Sequence, residues 1–265
     1  MSAIHLAIHG AAGRMGQRLL ALAAGDPGLH IAAALDSPQN PRIGEDAGLV
    51  AGIGTLGVPL SAELAAPVDV VIDFSTPAGA MSIIETCQKR GVRLVLATTG
   101  LSPEQIERVS QASQTIALLW APSMSLAVNL AMKLSGVSAA ALKDHPSGAD
   151  VEIIERHHRF KEDAPSGTAL KFGEIISGIM GQTEARHGRE GRPGARPHGE
   201  IGYHAVRVGD NPGEHTIIFG LLGETLEISV RASNRDCYAH GALAAAKFLA
   251  DKPPGLYNMN DVLGL

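Results

Sequence analysis

Two imidazoles, an amine and two hydroxyl side chains lie close together near the middle of the sequence. They belong to the segment E-R-H-H-R-F-K-E-D-A-P-S-G-T-A-L at residues 155–170, and the groups are those of His157, His158, Lys161, Ser166 and Thr168. A histidine can donate or accept a proton near neutral pH, and a lysine beside it can act as an acid or bind an anion. These residue types predict proton transfer on a small anionic substrate.

The flanking residues predict how this segment is held. Residues 151–155 alternate apolar and acidic side chains for most of their length, which is typical of a strand with one buried face. Over residues 170–179, apolar side chains recur at helical spacing. Pro165 lacks a backbone donor and Ser166 or Thr168 can cap, so a helix is predicted to begin here. The segment therefore forms a strand-to-helix loop that ends at a helix N-terminus, where free N–H groups attract anions.

A second candidate site lies near the start of the chain. A short apolar strand at residues 4–8 runs into a turn with three glycines, at positions 10, 13 and 16, and an amphipathic helix follows. This is the context of a dinucleotide-binding fingerprint: Gly10 allows the turn, Gly13 lets a pyrophosphate approach, and Gly16 packs the helix on the sheet. Asp36 ends the next predicted strand and can bind ribose hydroxyls. We therefore predict nucleotide binding at this turn.

Strands and helices alternate as far as residue 120. Strands are predicted at residues 31–35, 68–74, 93–97 and 115–120. Helices are predicted after the strands at 68–74 and 93–97, whereas residues 37–67 are interpreted as a loop with a short strand near 58–60. This alternation predicts an α/β fold with a Rossmann-like, doubly wound parallel sheet. Ligands bind outside the carboxyl ends of the strands in such sheets, and small polar residues follow several strands here, at residues 74–76, 97–100 and 121–124.

The pattern changes after residue 125. A long helix, the strand and helix around residues 155–170, and strand candidates at 201–208, 215–221 and 224–230 predict a smaller α+β domain with an open mixed sheet. Residues 178–199 contain four arginines and little hydrophobic pattern, and they are interpreted as a long exposed loop of unassigned role. A last helix is predicted over residues 239–249.

Composition restricts the class of protein. A chain of 265 residues has room for one large or two modest domains, and its formal charge of −5 argues against a general nucleic-acid or membrane-surface binder. Hydrophobic residues make up 45% and aromatic residues 3%, so the core is predicted to be aliphatic. Cys87 and Cys237 carry no motif, and no signal peptide or membrane-spanning stretch is recognisable. We therefore expect a reduced, cytoplasmic protein.

The central segment resembles the signature of the dihydrodipicolinate reductase family, in the pattern E-x-H-H-x-x-K-x-D-x-P-S-G-T-A at residues 155–169. The likeness extends along the chain, to residues 10–16, 209–216 and 256–263. It implies NAD(P)H-dependent reduction of 4-hydroxy-tetrahydrodipicolinate to tetrahydrodipicolinate with loss of water, a step of lysine and diaminopimelate biosynthesis. The implied partners are a small cyclic dicarboxylate and other copies of this chain in a homotetramer.

The resemblance also implies a domain organisation and a set of site residues. The dinucleotide-binding domain would span residues 1–126, the substrate-binding and tetramerisation domain 127–235, and a segment returning to the first domain 236–265. His157 would donate or accept a proton and Lys161 would donate one. Substrate carboxylates would be bound by His158, Gly167 and Thr168, and no metal is expected. Cofactor contacts are implied for Gly10, Ala11, Ala12, Gly13, Arg14, Met15, Asp36, Ala97, Thr98, Thr99, Ala121, Pro122, Ser123 and Met124.

Departures from the family pattern bear on the cofactor. Many relatives carry Arg directly after the acid at the end of the second strand, where it can meet the 2′-phosphate of NADP; this position is Ser37 here, and Thr76 stands where some relatives have Arg. Because Asp36 would repel a phosphate, NADH is favoured over NADPH, although Arg14 or Arg42 could compensate. Another departure, at residues 123–124, replaces an Asn–aromatic pair that is common in relatives.

Three alternatives remain open at this point. Another two-domain nicotinamide dehydrogenase, acting on sugars or hydroxy acids, explains the first half of the chain but not the central segment. A nucleotide-sensing protein would bind the cofactor without turnover and tolerate replacement of His157. A metal hydrolase would use histidines 157, 158, 198 and 204, although adjacent strand residues point to opposite faces and no paired cysteines accompany them.

Overall fold

The computed structural model describes residues 3–265, and the chain divides into two compact units. Unit 1 consists of Met1–Leu126 and Arg235–Leu265, and unit 2 consists of Ala127–Asn234. The predicted boundaries, after residues 126 and 235, fall at or next to these limits. The binding and assembly roles given to each part are still predictions.

The secondary structure of residues 3–265 is numbered in chain order. The strands are β1 (Ile4–His9), β2 (Leu29–Leu35), β3 (Leu60–Ser61), β4 (Val70–Asp73), β5 (Arg93–Leu96), β6 (Ala117–Trp120), β7 (Asp150–His157), β8 (Glu184–His187), β9 (Glu200–Arg207), β10 (Glu214–Leu221), β11 (Glu224–Arg231) and β12 (Gly255–Tyr257). The helices are α1 (Arg14–Ala24), α2 (Ala47–Ala51), α3 (Pro77–Arg90), α4 (Pro103–Ser113), α5 (Leu126–Leu142), α6 (Gly167–Met180), α7 (Asp236–Leu249) and α8 (Met259–Leu263).

Unit 1 contains a parallel sheet with helices on both faces. Its strand order over the described residues is β12-β6-β5-β4-β1-β2-β3, and every neighbouring pair is parallel. Side chains of β1 alternate between two apolar cores: Leu6 and Ile8 pack with α1 and α7, whereas Ala7 packs with α3 and α4. The predicted Rossmann-like, doubly wound sheet is confirmed.

Helix starts follow local side-chain chemistry. Thr76 caps α3 by accepting a hydrogen bond from the Gly79 backbone N–H at 3.2 Å. The predicted capping box of Ser102 and Gln105 opens α4, with both reciprocal hydrogen bonds present. Each bond satisfies a backbone donor that the first turn of a helix leaves unpaired. In the part of the chain that the structure describes, no helix is both long and apolar enough to cross a membrane.

Unit 2 is a mixed sheet covered by helices on one face. The strand order over the described residues is β11-β10-β7-β9-β8; the β7–β9 and β8–β9 pairs are parallel, and the pairs that involve β10 are antiparallel. Val151 and Ile153 of β7 pack with Phe172 and Ile176 of α6 in one apolar core. The pleat therefore turns the next residues of the same parity, Glu155 and His157, toward the same face.

Four short elements differ from the sequence-based prediction. The loop at residues 37–67 contains α2, whose start depends on Asp46: its carboxylate accepts hydrogen bonds from the backbone N–H groups of Gly48 and Leu49. Hydrogen bonds from backbone N–H groups to a capping side chain do not require apolar residues at helical spacing. The hydrophobic pattern of the sequence therefore did not predict α2. β8 lies within the stretch interpreted as a loop, and its four residues are all exposed. β12 and α8 follow the last predicted helix.

The arginine-rich stretch is anchored by ion pairs rather than free. Arg189 donates to both carboxylate oxygens of Glu152, at 3.1 and 2.6 Å, and Arg196 donates to Glu152 at 2.9 Å and to Asp150 at 2.7 Å. Burial acts to raise the pKa of Glu152, but hydrogen bonds from Arg189, His204 and Arg196 outweigh it and lower this pKa to about 2. These two arginines thus tie the stretch to β7.

Two glycines of α6 predict stability changes of opposite sign. A Cβ at Gly173 would lie 1.7 Å from the Tyr203 hydroxyl, whereas a Cβ at Gly178 would meet nothing within 4 Å. Gly173→Ala should lower the free energy of unfolding by about 1–3 kcal/mol because Tyr203 must move. Gly178→Ala should raise it by about 0.5–1 kcal/mol because glycine is a poor helix former. Urea unfolding followed by circular dichroism measures both; equal effects of the two changes would contradict this packing.

Candidate active site

The Gly-rich turn of unit 1 is closed by backbone contacts that only glycine permits. Gly10 has φ of +79°, and a Cβ there would lie 2.5 Å from the carbonyl oxygen of Phe74. A Cβ on Gly16 would lie 2.1 Å from the carbonyl oxygen of Gly10. The turn therefore fits tightly between β4 and the start of α1, and it leaves Gly13 at the N-cap of that helix.

A cavity of about 570 Å³ opens beside this turn. Its wall includes the predicted cofactor residues Gly10, Ala12, Gly13 and Asp36. The Asp36 carboxylate accepts hydrogen bonds from the backbone N–H of Ala12 and of Ser37, both at 2.9 Å. An anchored acid beside a glycine-rich turn and a helix N-terminus suits a dinucleotide, so the residues present fit a nicotinamide cofactor.

The remaining predicted cofactor residues occupy three places. Ala11 is fully buried in the core, and Arg14 and Met15 open α1. Residues 97–99 follow β5 and residues 121–124 follow β6, at the carboxyl edge of the sheet. The described residues that form the cavity wall include neither segment.

Sequence reasoning missed a buried polar cluster at the same edge. Asp73, the last residue of β4, has no exposed surface, and its carboxylate accepts hydrogen bonds from Ser75 Oγ at 2.6 Å and Thr98 Oγ1 at 2.5 Å. The Nδ1 atom of His9 lies 2.6 Å from Asp73 Oδ1. Thr98 is thus turned toward Asp73. An acid that ends a strand of buried apolar residues was the available signal for this cluster.

In unit 2, the predicted catalytic histidine is held by a buried carboxylate. Glu155 is 1% exposed, and its Oε2 atom lies 2.6 Å from Nδ1 of His157. Arg207 donates to both carboxylate oxygens of Glu155, at 2.8 Å each, and the backbone N–H of Ser166 donates to Oε1 at 3.1 Å. The strand register explains the pairing, because β7 and β9 set His157 opposite Arg207.

Burial and neighbouring charges have opposing effects on the pKa values of Glu155 and His157. Burial acts to raise the pKa of Glu155, but hydrogen bonds from Arg207 and His157 lower it below its ordinary range. Burial lowers the pKa of His157; Glu155 opposes this, while the positive charges of Lys161 and Arg207 add to it. The imidazole therefore favours its neutral form and keeps Nδ1 directed at Glu155. Its other nitrogen, Nε2, faces Gly213, where a Cβ would lie 2.9 Å away.

The predicted helix start near Ser166 is present as the start of α6. Ser166 is the N-cap, and its Oγ accepts a hydrogen bond from the Ala169 backbone N–H at 3.1 Å. The backbone of Leu170 donates to the Ser166 carbonyl oxygen at 3.0 Å. The first turn of a helix leaves its leading N–H groups without intrahelical acceptors, so those of Gly167 and Thr168 can meet an anion.

Lys161 and His158, two further predicted site residues, lie on the loop that precedes α6. Lys161 Nζ donates to Asp163 Oδ1 at 2.7 Å, and the same hydrogen bond lowers the pKa of Asp163. The Nδ1 atom of His158 is buried, and no described residue forms a hydrogen bond with it. A buried polar atom of this kind is suited to a ligand. Arg207 also reaches this loop, because its guanidinium donates to the backbone carbonyl of Asp163 at 2.6 Å.

Sequence reasoning did not find His215, which supports the helix start. This residue is 4% exposed, and its Nε2 lies 3.0 Å from Ser166 Oγ. Its ring centroid is 5.2 Å from that of His157 in an edge-to-face arrangement. Burial, followed by the electrostatic interaction with His157, lowers the pKa of His215 to about 4. Over residues 3–265, no group of three or more His, Cys, Asp or Glu side chains could hold a metal ion.

The lowered pKa of His215 predicts that the free energy of unfolding falls in acid. Its pKa is about 4 in the folded protein, against about 6.5 in an unfolded chain, so between these values the unfolded state alone binds the proton. The free energy of unfolding should therefore fall as pH drops from 7 to 4, by up to about 3 kcal/mol more in wild type than in His215→Gln. Urea unfolding at each pH measures this. His145→Gln, which changes an exposed histidine of unit 2, is the control; identical pH profiles for wild type and His215→Gln would contradict the argument.

Comparison with known proteins covers the described chain almost completely. The family description "Dihydrodipicolinate reductase, N-terminus" matches residues 4–124, and "Dihydrodipicolinate reductase, C-terminus" matches residues 127–263. The 4-hydroxy-tetrahydrodipicolinate reductase of Rhodopirellula baltica is 57% identical, over 99% of this chain and 96% of its own. The protein of the same name from Nitrosomonas europaea is 45% identical over 100% of both chains.

A solved structure gives the same answer. The dipicolinate-bound dihydrodipicolinate reductase from Paenisporosarcina sp. TG-14 is 26% identical to this chain, matches 97% of each chain and has a TM-score of 0.78. The sequence matches extend over both units, and the structural match includes both sheets. The resemblance drawn from residues 155–169 is confirmed, and the chain belongs to the dihydrodipicolinate reductase family.

Proposed function

We propose that this chain reduces 4-hydroxy-tetrahydrodipicolinate to tetrahydrodipicolinate with a reduced nicotinamide cofactor, in lysine and diaminopimelate biosynthesis. One hydride and one proton enter the ring and one water leaves. The observation that carries the proposal is the cluster of unit 2: Glu155 contacts both His157 and the start of α6, and Lys161 lies in the loop between them, close enough to affect the pKa of His157. A protein that only senses nucleotides would need no lysine and no anion-binding helix start beside the His157–Glu155 pair.

The cofactor is held by unit 1 in this proposal. The turn at residues 10–15 receives the pyrophosphate, Asp36 binds the adenosine ribose, and the segments at 97–99 and 121–124 lie near the nicotinamide. When bound, the cofactor supplies the hydride. Support comes from the glycine-rich turn, which lines the cavity, and from the hydrogen bonds that Ala12, Ser37 and Asn40 donate to Asp36.

The substrate is held by unit 2 in this proposal. Gly167, Thr168 and His158 bind carboxylates of the cyclic dicarboxylate, and Lys161 donates the proton. His157 keeps its Nδ1 proton on Glu155, and Nε2, on the side of Gly213, accepts or relays a proton of the substrate. The solved relative that is described as dipicolinate-bound supports a ring dicarboxylate as ligand. The unpaired Nδ1 of His158 supports its role.

Lys161→Ala should abolish most turnover. Loss of a positioned acid costs about 10²- to 10⁴-fold in rate, so kcat/KM for the substrate should fall by that factor. The assay follows loss of reduced-nicotinamide absorbance, with substrate generated in situ from pyruvate and aspartate semialdehyde by the preceding synthase. Lys171→Ala, an exposed lysine of α6 paired with Glu174, is the matched control. Wild type that binds cofactor but gives no turnover on confirmed substrate would refute the reductase proposal.

We further propose that NADH is preferred over NADPH. Among the described residues, no lysine or arginine lines the cavity that contains Asp36. Arg42, which could have compensated, is paired with Glu45 at 3.0 Å. The Asp36 carboxylate would then face a 2′-phosphate with no cation from the cavity wall between them. An unphosphorylated ribose, by contrast, offers hydroxyl donors to the same carboxylate.

Ser37→Arg should shift this preference toward NADPH. A charge-assisted hydrogen bond contributes about 1.5–3 kcal/mol, so the ratio of kcat/KM for NADH to that for NADPH should fall about 10-fold or more. Wild type is expected to favour NADH before the change. Ser37→Gln is the control for side-chain length without charge. An NADPH preference in wild type would contradict the argument from Asp36.

We also propose a cytoplasmic homotetramer that assembles through the sheet of unit 2. Support comes from the face of this sheet that α5 and α6 do not cover. Ile154 of β7 is 39% exposed and Val206 of β9 is 42% exposed, although both lie on central strands. Apolar side chains in the middle of an uncovered sheet face are typical of a surface that another chain covers.

A further inference from the structure

His9 occupies a position in unit 1 that the proposed reaction does not use. It is the last residue of β1 and directly precedes Gly10 of the glycine-rich turn. Its Nδ1 atom lies 2.6 Å from Oδ1 of Asp73, a carboxylate with no exposed surface. Ser75 and Thr98 donate hydroxyl hydrogen bonds to the same carboxylate. The His9 ring is thus oriented by the buried Asp73, whose carboxylate is in turn oriented by the hydroxyl groups of Ser75 and Thr98.

This pairing determines which atom of His9 is available. The buried Asp73 acts as a hydrogen-bond acceptor, so Nδ1 keeps its proton on Asp73 and Nε2 of a neutral ring becomes an acceptor. The side chain is 14% exposed, and His9 lines both the cavity of about 570 Å³ and a neighbouring one of about 370 Å³. A partly exposed ring that lines a cavity and is anchored at one nitrogen can bind a ligand with the other nitrogen.

The proposed cofactor site indicates which ligand group lies beside His9, and the inference rests on that proposed site. If the turn receives the pyrophosphate and Asp36 binds the ribose, the remainder of the same cavity must accept the base carried by that ribose. The wall there is formed by His9 together with Ala62, Phe74, Gly79 and Ser82. Ala62, Phe74 and Gly79 offer apolar or glycine surface to the faces of a purine, and the same cavity also has small polar residues, Ser37, Asn40, Ser75 and Thr76, on its wall.

We propose that His9 is a specificity-determining residue of the cofactor site, which reads the adenine ring through Nε2. The exocyclic amino group of adenine is a hydrogen-bond donor, and an Nε2 acceptor matches it. Hypoxanthine carries an oxygen at the same position and offers no such donor. Asp73 is then a positioning residue, since it fixes the tautomer and the orientation of the His9 ring without contact to the base.

Two changes at one position separate this role from a structural one. His9→Asn leaves an amide donor near the place of Nδ1, so the buried Asp73 can keep its hydrogen bond, but it removes Nε2. His9→Ala removes both. If His9 served only to pair Asp73, the asparagine variant would behave as wild type. His5→Ala is the matched control, because His5 lies on the same strand and pairs with the exposed Asp69 at the other end of β1.

The experiment measures binding of NADH and of its hypoxanthine analogue, deamino-NADH, by nicotinamide fluorescence without substrate. Wild type and His5→Ala should bind NADH about 3- to 10-fold more tightly than the analogue, the value of one hydrogen bond. His9→Asn and His9→Ala should bind both ligands equally, at the weaker affinity. A wild-type preference retained in His9→Asn would overturn the proposal even with full reductase turnover. Absence of any dinucleotide binding to wild type would overturn it together with the cofactor site, whereas binding without turnover would refute the reductase proposal alone.

Discussion

The negative charge of Glu155 is the constraint around which unit 2 is built. A carboxylate that is 1% exposed is tolerated only when donors surround it, and here a guanidinium, an imidazole and a backbone N–H do so. Each donor belongs to a different part of the fold: Arg207 to β9, His157 to the end of β7, and Ser166 to the start of α6. Removing one partner of such a buried pair costs about 3–5 kcal/mol, so the arrangement is strongly specified. The loop between β7 and α6 is therefore held near both of its ends by this one carboxylate.

Unit 1 also has a buried acid that holds a histidine, at the end of its central strand β4. Asp73 and Glu155 are both buried acids near the carboxyl ends of strands, and each lies 2.6 Å from Nδ1 of a histidine. In both cases the imidazole keeps Nδ1 on the acid and presents Nε2 elsewhere. The surrounding donors differ: Asp73 is satisfied by neutral hydroxyls, whereas Glu155 meets a guanidinium. The positive charge of Arg207 is therefore particular to the site where an anionic substrate is proposed to bind.

The part of this arrangement that could be predicted from the sequence is the part encoded locally. The strand–turn–helix context of Gly10, the capping box at Ser102 and the helix start at Ser166 each depend on residues within a few positions. The roles of Arg207 and His215 depend on strand pairing instead. Arg207 lies 52 positions from Glu155 and is brought opposite His157 by the β7–β9 register. Nothing in the local pattern distinguishes such a residue from a solvated one.

The arginine-rich stretch at residues 178–199 shows why charge alone misleads. Four arginines in a polar segment are also compatible with an anion-binding loop, yet Arg189 and Arg196 are neutralised by acids of β7. Uncommitted polar groups gather in unit 2 at a different place, around the backbone N–H groups of α6 and His158. In unit 1 the anchored charge facing the cavity is the negative one of Asp36. The proposed binding places of the two units thus differ in the sign of their charge: that of unit 2 is suited to carboxylates, and that of unit 1 to a ribose without a phosphate. This contrast depends on which charged residues form ion pairs in the folded chain. It cannot be read from the formal charge of −5 of the sequence.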